Sequence, residues 1–149
     1  MNILTVTLRL FLAVVLGGAI GLERETSHKP AGLRTNILIC VSSALMMILA
    51  ELFGGQAAAG QEAMRVAAGV ITGVGFLGAG AIIQSGGSVY GLTTASVIWA
   101  VAVLGLVIGS GYYLIAAIFT VLVVLILVFL RKIDQLFIKR AEKKAPVKS

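Results

Sequence analysis

Charge is scarce in this chain: charged residues fill 12% of its 149 positions, against about a quarter in soluble domains. It has one histidine and one cysteine. A single cysteine excludes an intrachain disulfide framework and a thiolate metal site. Cys40 lies inside an apolar stretch, where a lone thiol behaves as a small hydrophobe. His28 stands alone in a loop, has no partner at ligand spacing and reads as solvated. No Ser/His/Asp, Cys/His or metal-cluster pattern is present. The expectation is a protein that is not an enzyme, holds no cofactor and binds no nucleic acid.

What the chain has instead is apolar length. Hydrophobic residues make up 59% of it. They gather in five stretches, Ile3–Leu22, Thr35–Phe53, Val66–Gln84, Leu92–Gly109 and Tyr112–Leu130. At 1.5 Å per residue each spans roughly 27–30 Å as a helix, the thickness of a bilayer core. In lipid every backbone N–H and C=O must be bonded internally, so such stretches are helices. The predicted fold is an all-α membrane protein, a bundle of five transmembrane helices. Residues 1–130 form the membrane domain and 131–149 a basic tail. The first stretch has no basic start and no small-residue cleavage site, and Glu23-Arg24-Glu25 follows it. It reads as a retained helix rather than a signal peptide.

The net charge of +6 is unevenly placed. The loop after helix 1 carries Arg24, Lys29 and Arg34. The segment after helix 5 carries Arg131, Lys132, Lys139, Arg140, Lys143, Lys144 and Lys148. The opposite side of a five-span bundle keeps only Arg9 and Arg65. The positive-inside rule therefore predicts an external N-terminus and a cytoplasmic C-terminus. In the tail, Ile133, Leu136 and Phe137 recur at helical spacing among lysines and arginines. That pattern suits a short amphipathic helix on the anionic inner leaflet, or a docking helix for a partner. Beyond Ala141 the composition predicts disorder, and no second soluble domain is expected.

The 18 glycines are patterned. Gly17/Gly21, Gly69/Gly73 and Gly105/Gly109 form G-x-x-x-G pairs, with Gly75, Gly78 and Gly80 also in helix 3. Small residues at that spacing let helix backbones approach closely in lipid. The density of glycine predicts helix 3 at the centre of the bundle, either surrounded by neighbours or bent. Thr72 could bond back to a carbonyl or across to another helix. Gly73-Val-Gly75-Phe-Leu-Gly78 matches G-x-G-x-x-G literally. A dinucleotide site needs a preceding strand and an acidic residue ~20 positions on; here the next acid is Asp134, so the pattern reads as packing.

Polar groups near the spans are costly and are the candidate functional residues. Arg9 is expected to snorkel to the outer interface. Glu23 and Arg34, or Arg24 and an acid, could pair across the Lys29-Pro30-Ala31-Gly32 turn. Glu62 and Arg65 sit at i, i+3, the spacing of an ion pair at the start of helix 3. Glu23 and Glu25 could together offer oxygen ligands to hydrated Mg²⁺, on weak grounds. Thr93, Thr94 and Ser96 open helix 4 as capping or interhelix hydroxyls. Trp99 lies deep enough that its indole N–H should bond within the bundle.

Four motifs taken together resemble one family. They are Gly17-x-x-Ile20-Gly21-Leu-Glu23-Arg24-Glu25, Gly32-Leu-Arg34-Thr35, Gly73-x-Gly-Phe-Leu-Gly-Ala-Gly80 and Gly91-Leu-Thr-Thr-Ala95. In this order they are similar to the signature of the MgtC/SapB family of bacterial inner-membrane proteins. The resemblance implies five helices with cytoplasmic motif loops and a link to magnesium limitation. It also implies virulence-related survival in hosts for some members, and restraint of the membrane ATP synthase. Long members carry a further soluble domain, so this chain is expected to be a short form. Members commonly have an aspartate ahead of the arginine opening helix 3, where this chain has Glu62 before Arg65.

Two functions of different classes follow. One is a regulator in the inner membrane that binds a membrane-protein partner, or a second copy as a dimer, through its helix faces. The other is a channel or transporter for Mg²⁺ or another cation, with Glu23, Thr72 and Thr93 on the path.

Overall fold

The computed structural model of the chain describes residues 2–53 and 55–144, with side chains described for all of these except 55–59 and 134–144. Five helices dominate: α1 (Ile3–Thr26), α2 (Leu33–Phe53), α3 (Gly55–Gly80), α4 (Leu92–Gly109) and α5 (Tyr113–Lys144). Each contains a segment long and apolar enough to cross a membrane. Lone apolar residues therefore point outward as well as inward. Phe11, Leu38, Phe76, Ile115 and Phe129 are all exposed, as lipid-facing side chains should be. Small side chains, polar groups and a few branched residues fill the interior.

The centre of the bundle is α4, and here the structure corrects the sequence reading. Val97, Val101, Ala102, Leu104, Gly105, Ile108 and Gly109 of α4 are all buried. α2 lies against it, burying Cys40, Ser43, Ala44, Met47 and Ile48. Glycine makes that contact possible. A Cβ on Gly105 would fall 2.3 Å from the Cys40 carbonyl oxygen, and one on Gly109 would fall 2.5 Å from that of Ala44. Toward the start of α2, a Cβ at Gly17 would meet Cys40 Cβ at 2.6 Å, and one at Gly21 would meet Leu33 Cα at 2.8 Å. Two of the three G-x-x-x-G pairs thus seat α1 on the N-terminal half and α4 on the C-terminal half of one α2 face, meeting at Cys40.

α3 was expected at the centre and stands at the edge. It runs unbroken from Gly55 to Gly80. Gly69, Gly73, Gly75 and Gly80 have nothing within 4 Å of a built Cβ, and Gly78 alone packs, against Ala95 at 3.6 Å. Ala63, Val66, Ala67, Val70, Ile71 and Val74 provide its inward contact. The end of the third apolar stretch also shifts. The apolar run to Gln84 predicts helix, but Ile83–Ser85 pairs antiparallel with Ser88–Tyr90 in a two-stranded hairpin, β1 and β2. Gly91 then turns the chain into α4 at φ 88°, where a Cβ would overlap the Ala81 carbonyl oxygen.

α5 differs from expectation as well. Its helix passes without interruption through the basic segment to Lys144, so the tail is not a separate amphipathic helix and residues 142–144 are helical. The remainder of the expected disordered run, 145–149, lies outside the described residues. At 1.5 Å per residue, 32 residues reach ~48 Å, longer than a ~30 Å bilayer core.

Candidate functional site

The motif residues meet where α1 ends, α2 begins and α4 begins. The α1–α2 turn is closed by side chains as much as by backbone. His28 and Ala31 both take left-handed φ angles of 52° and 56°, a costly conformation for residues with a Cβ unless neighbours hold it. Asn36, wholly buried, donates through Nδ2 to the carbonyls of Ala31 and Gly32. Glu25 reaches across, and its Oε2 accepts the Leu33 N–H at 2.8 Å. That N–H is one of the orphan donors of a helix start, so the carboxylate acts as a cap supplied from another helix. Gly32 leaves room for that carboxylate, since a Cβ there would press on the same Oε2 and push the Glu25 side chain aside.

Beside this lock sit two buried charges. Arg24 is 4% exposed and donates from Nη2 to Thr94 Oγ1 at 3.2 Å, tying α1 to α4. Glu23 is 9% exposed; its Oε1 accepts from Ser27 Oγ at 2.7 Å and lies 3.6 Å from Arg131 Nη1. Arg131 also donates to Ser27 Oγ, so the end of the α5 membrane segment is fastened to α1. The expected Glu23–Arg34 pair does not form. Arg34 and Thr35 are exposed on α2, and Arg131, over 100 residues along, holds the carboxylate instead. Three buried polar atoms, Glu23 Oε2, Arg24 Nε and Asn36 Oδ1, have no hydrogen-bond partner.

The donor set does not fit a resident Mg²⁺. Glu23 is engaged by Ser27 and the cationic Arg131, and Glu25 by the Leu33 amide. The two carboxylates serve different neighbours rather than one ion, and a guanidinium beside Glu23 opposes a dication. Among the described residues no three His, Cys, Asp or Glu side chains stand together.

The remaining candidates scatter. Glu62 and Arg65 form an exposed i, i+3 ion pair at 2.8 Å on α3. Thr93 is exposed, and Ser96 bonds back to the Leu92 carbonyl. Thr72 likewise bonds back to Ala68. Trp99, expected to bond inside the bundle, is 48% exposed on the lipid side of α4, because α3 does not cover it. It lines a groove of about 400 Å³ between α3 and α4 with Gly75, Gly78, Ala79 and Ala95. Arg9, expected to snorkel, is 8% exposed. It donates to Glu51 at 2.5 Å, to the Gly109 carbonyl at 2.7 Å and to Tyr113 Oη at 3.3 Å. Sequence reasoning missed Asn36 and the Arg9–Glu51 partnership. A lone asparagine at a helix start after an Ala-Gly turn was the available signal for the first.

Comparison with known proteins agrees with these motifs. Residues 10–136 match the MgtC family. The Escherichia coli K12 protein named "Putative magnesium transporter YhiD" is 44% identical over 124 residues, covering 80% of this chain and 58% of that protein. Protein MgtC of Brucella abortus strain 2308 is 41% identical over 123 residues, covering 83% of this chain and 50% of that one. Protein SapB of Bacillus subtilis strain 168 is 42% identical over 113 residues, covering 72% and 49% respectively. No solved structure matches the chain. The chain spans about half the length of the curated relatives it matches. The matched residues begin within α1 and reach the end of the α5 membrane segment, taking in all five spans: the chain is a multi-pass membrane protein of the MgtC family.

Proposed function

We propose that this chain is an inner-membrane regulator tied to magnesium homeostasis, acting by helix contact on another membrane protein rather than by carrying ions. The observation that carries this reading is the α3–α4 groove. Gly75 is open to a helix backbone, and Trp99 presents an indole N–H in mid-span with no hydrogen-bond partner among the described residues. A donor facing hydrocarbon favours any helix that brings it an acceptor, and the small residues let that helix come close. The basic α1–α2 turn and the α5 end supply the charge that orients this end to the cytoplasm. The family resemblance suggests partners such as an ATP synthase subunit or a transporter, and a second copy of the chain fits the same groove.

Transport is the second reading, since one relative is named for it. A conducting path needs its polar groups to converge. Glu23 is bonded to Ser27, Thr72 is turned back to its own helix and Thr93 is on the exposed side of α4, which favours regulation.

Gly75→Leu tests the contact. Tagged wild-type and variant chains would be cross-linked and recovered from cells grown in low magnesium, beside energy transfer between labelled copies in liposomes. The variant should show about tenfold weaker association, ~1.4 kcal/mol, while remaining folded because a Cβ at Gly75 meets no other element of the chain. Equal recovery of the same partner by both chains would remove the groove from the account.

A further inference from the structure

A second groove, between α2 and α3, has a different chemistry at its mouth. Arg34, Leu38, Ser42 and Met46 recur every four residues on α2, so they share one stripe of that helix. All four are exposed. Leu38, Ser42 and Met46 form one wall of a slot of about 360 Å³, and Gly73, Val74 and Leu77 of α3 form the other. Open space at Gly73 keeps the slot deep. Arg34 stands one turn, ~5–6 Å, beyond Leu38 at the start of α2. Among the described residues it makes no ion pair.

The result is a free guanidinium above an apolar channel that runs into the membrane. We propose that this slot holds an anionic phospholipid, with the phosphate on Arg34 and one acyl chain lying between Leu38 and Leu77. The planar fork of arginine matches phosphate oxygens in pairs. Any phospholipid could fill the slot with its chain, so the head group decides which one stays. A zwitterionic head group carries its own cation toward Arg34 and is disfavoured. The inference is independent of the α3–α4 groove and of whether the protein regulates or transports.

Native mass spectrometry of the full chain tests it, released from micelles holding equimolar phosphatidylglycerol and phosphatidylcholine. One basic group near anionic lipid supports about a fivefold preference for phosphatidylglycerol. Arg34→Gln should abolish that preference. Gly73→Leu, which plugs the slot, should lower phosphatidylglycerol retention, with circular dichroism and monodisperse elution showing both variants folded. Equal retention of the two lipids by the wild type overturns the proposal. A preference unchanged in Arg34→Gln overturns it too, since other basic groups would then be selecting the lipid. If Gly73→Leu changes only the oligomeric state, the slot belongs to a second helix and not to lipid.

Discussion

Gly105→Ala should cost this protein a large part of its stability. The added carbon would fall 2.3 Å from the Cys40 carbonyl oxygen, 2.7 Å from Ser43 Cβ and 3.1 Å from the Ala44 nitrogen. Two of these three atoms belong to the α2 backbone, so no rotamer change relieves the overlap, and α2 and α4 must separate along their length. Overpacking in a dense core costs about 1–3 kcal/mol; a backbone clash at the centre of the bundle belongs at the top of that range. Gly73→Ala is the control with opposite sign. It adds a methyl to open space and replaces the poorest helix former after proline with the best, a gain of about 0.5–1 kcal/mol where exposed. Thermal unfolding in detergent followed by circular dichroism reads both. A Gly105→Ala protein as stable as wild type would mean that α4 is not packed against α2 as described.

Arg9→Met should be the other large loss. Arg9 joins three helices at the end of the bundle opposite the motif turn: Glu51 on α2, the terminal carbonyl of α4 at Gly109, and Tyr113 on α5. That carbonyl is one of the orphans of a helix C-terminus, at the negative end of its dipole. A methionine fills similar volume but leaves the carbonyl, the carboxylate and the phenol without their shared donor. Removing one partner of a buried pair costs roughly 3–5 kcal/mol. Glu51 is half-exposed, with 45% of its side chain accessible, so about 3 kcal/mol is expected here. Arg9→Lys should recover only part of it, because one ammonium cannot present the same fork. Unfolding of the three proteins in the same detergent provides the comparison, and full stability in Arg9→Met would reduce the cluster to a surface contact.

The five spans were legible in the sequence because hydropathy and length are local properties. Their arrangement was not. Glycines in α3 predict close neighbours, yet the same residues serve equally for a helix whose faces are left open, and only the tertiary structure distinguishes Gly105, jammed on Cys40, from Gly73, facing space. The hairpin was missed because Ile82 and Ile83 carry the apolar run straight past the end of α3. For Arg9 and Glu23 the sequence shows a costly charge but not its partner: Glu51 is 42 residues from Arg9, and Arg131 comes from the far end of the chain. Arg34 was nearer Glu23 in sequence and lost to Arg131, since α5 packs beside α1 while Arg34 faces outward. The Glu25 cap and the Asn36 bonds turn the motif spacing into a shape. The Glu carboxylate eight residues before Leu33 closes the turn, in the space that the glycine at position 32 leaves open.

The most direct measurement is Mg²⁺ uptake into liposomes holding the purified, folded protein, beside an identical Glu23→Gln preparation and protein-free vesicles. The expected result is uptake by both protein samples indistinguishable from empty vesicles, as a regulator without a converging polar path requires. Saturable uptake by the wild type that falls in Glu23→Gln would contradict this, and would make the buried carboxylate at the end of α1 part of a transport route.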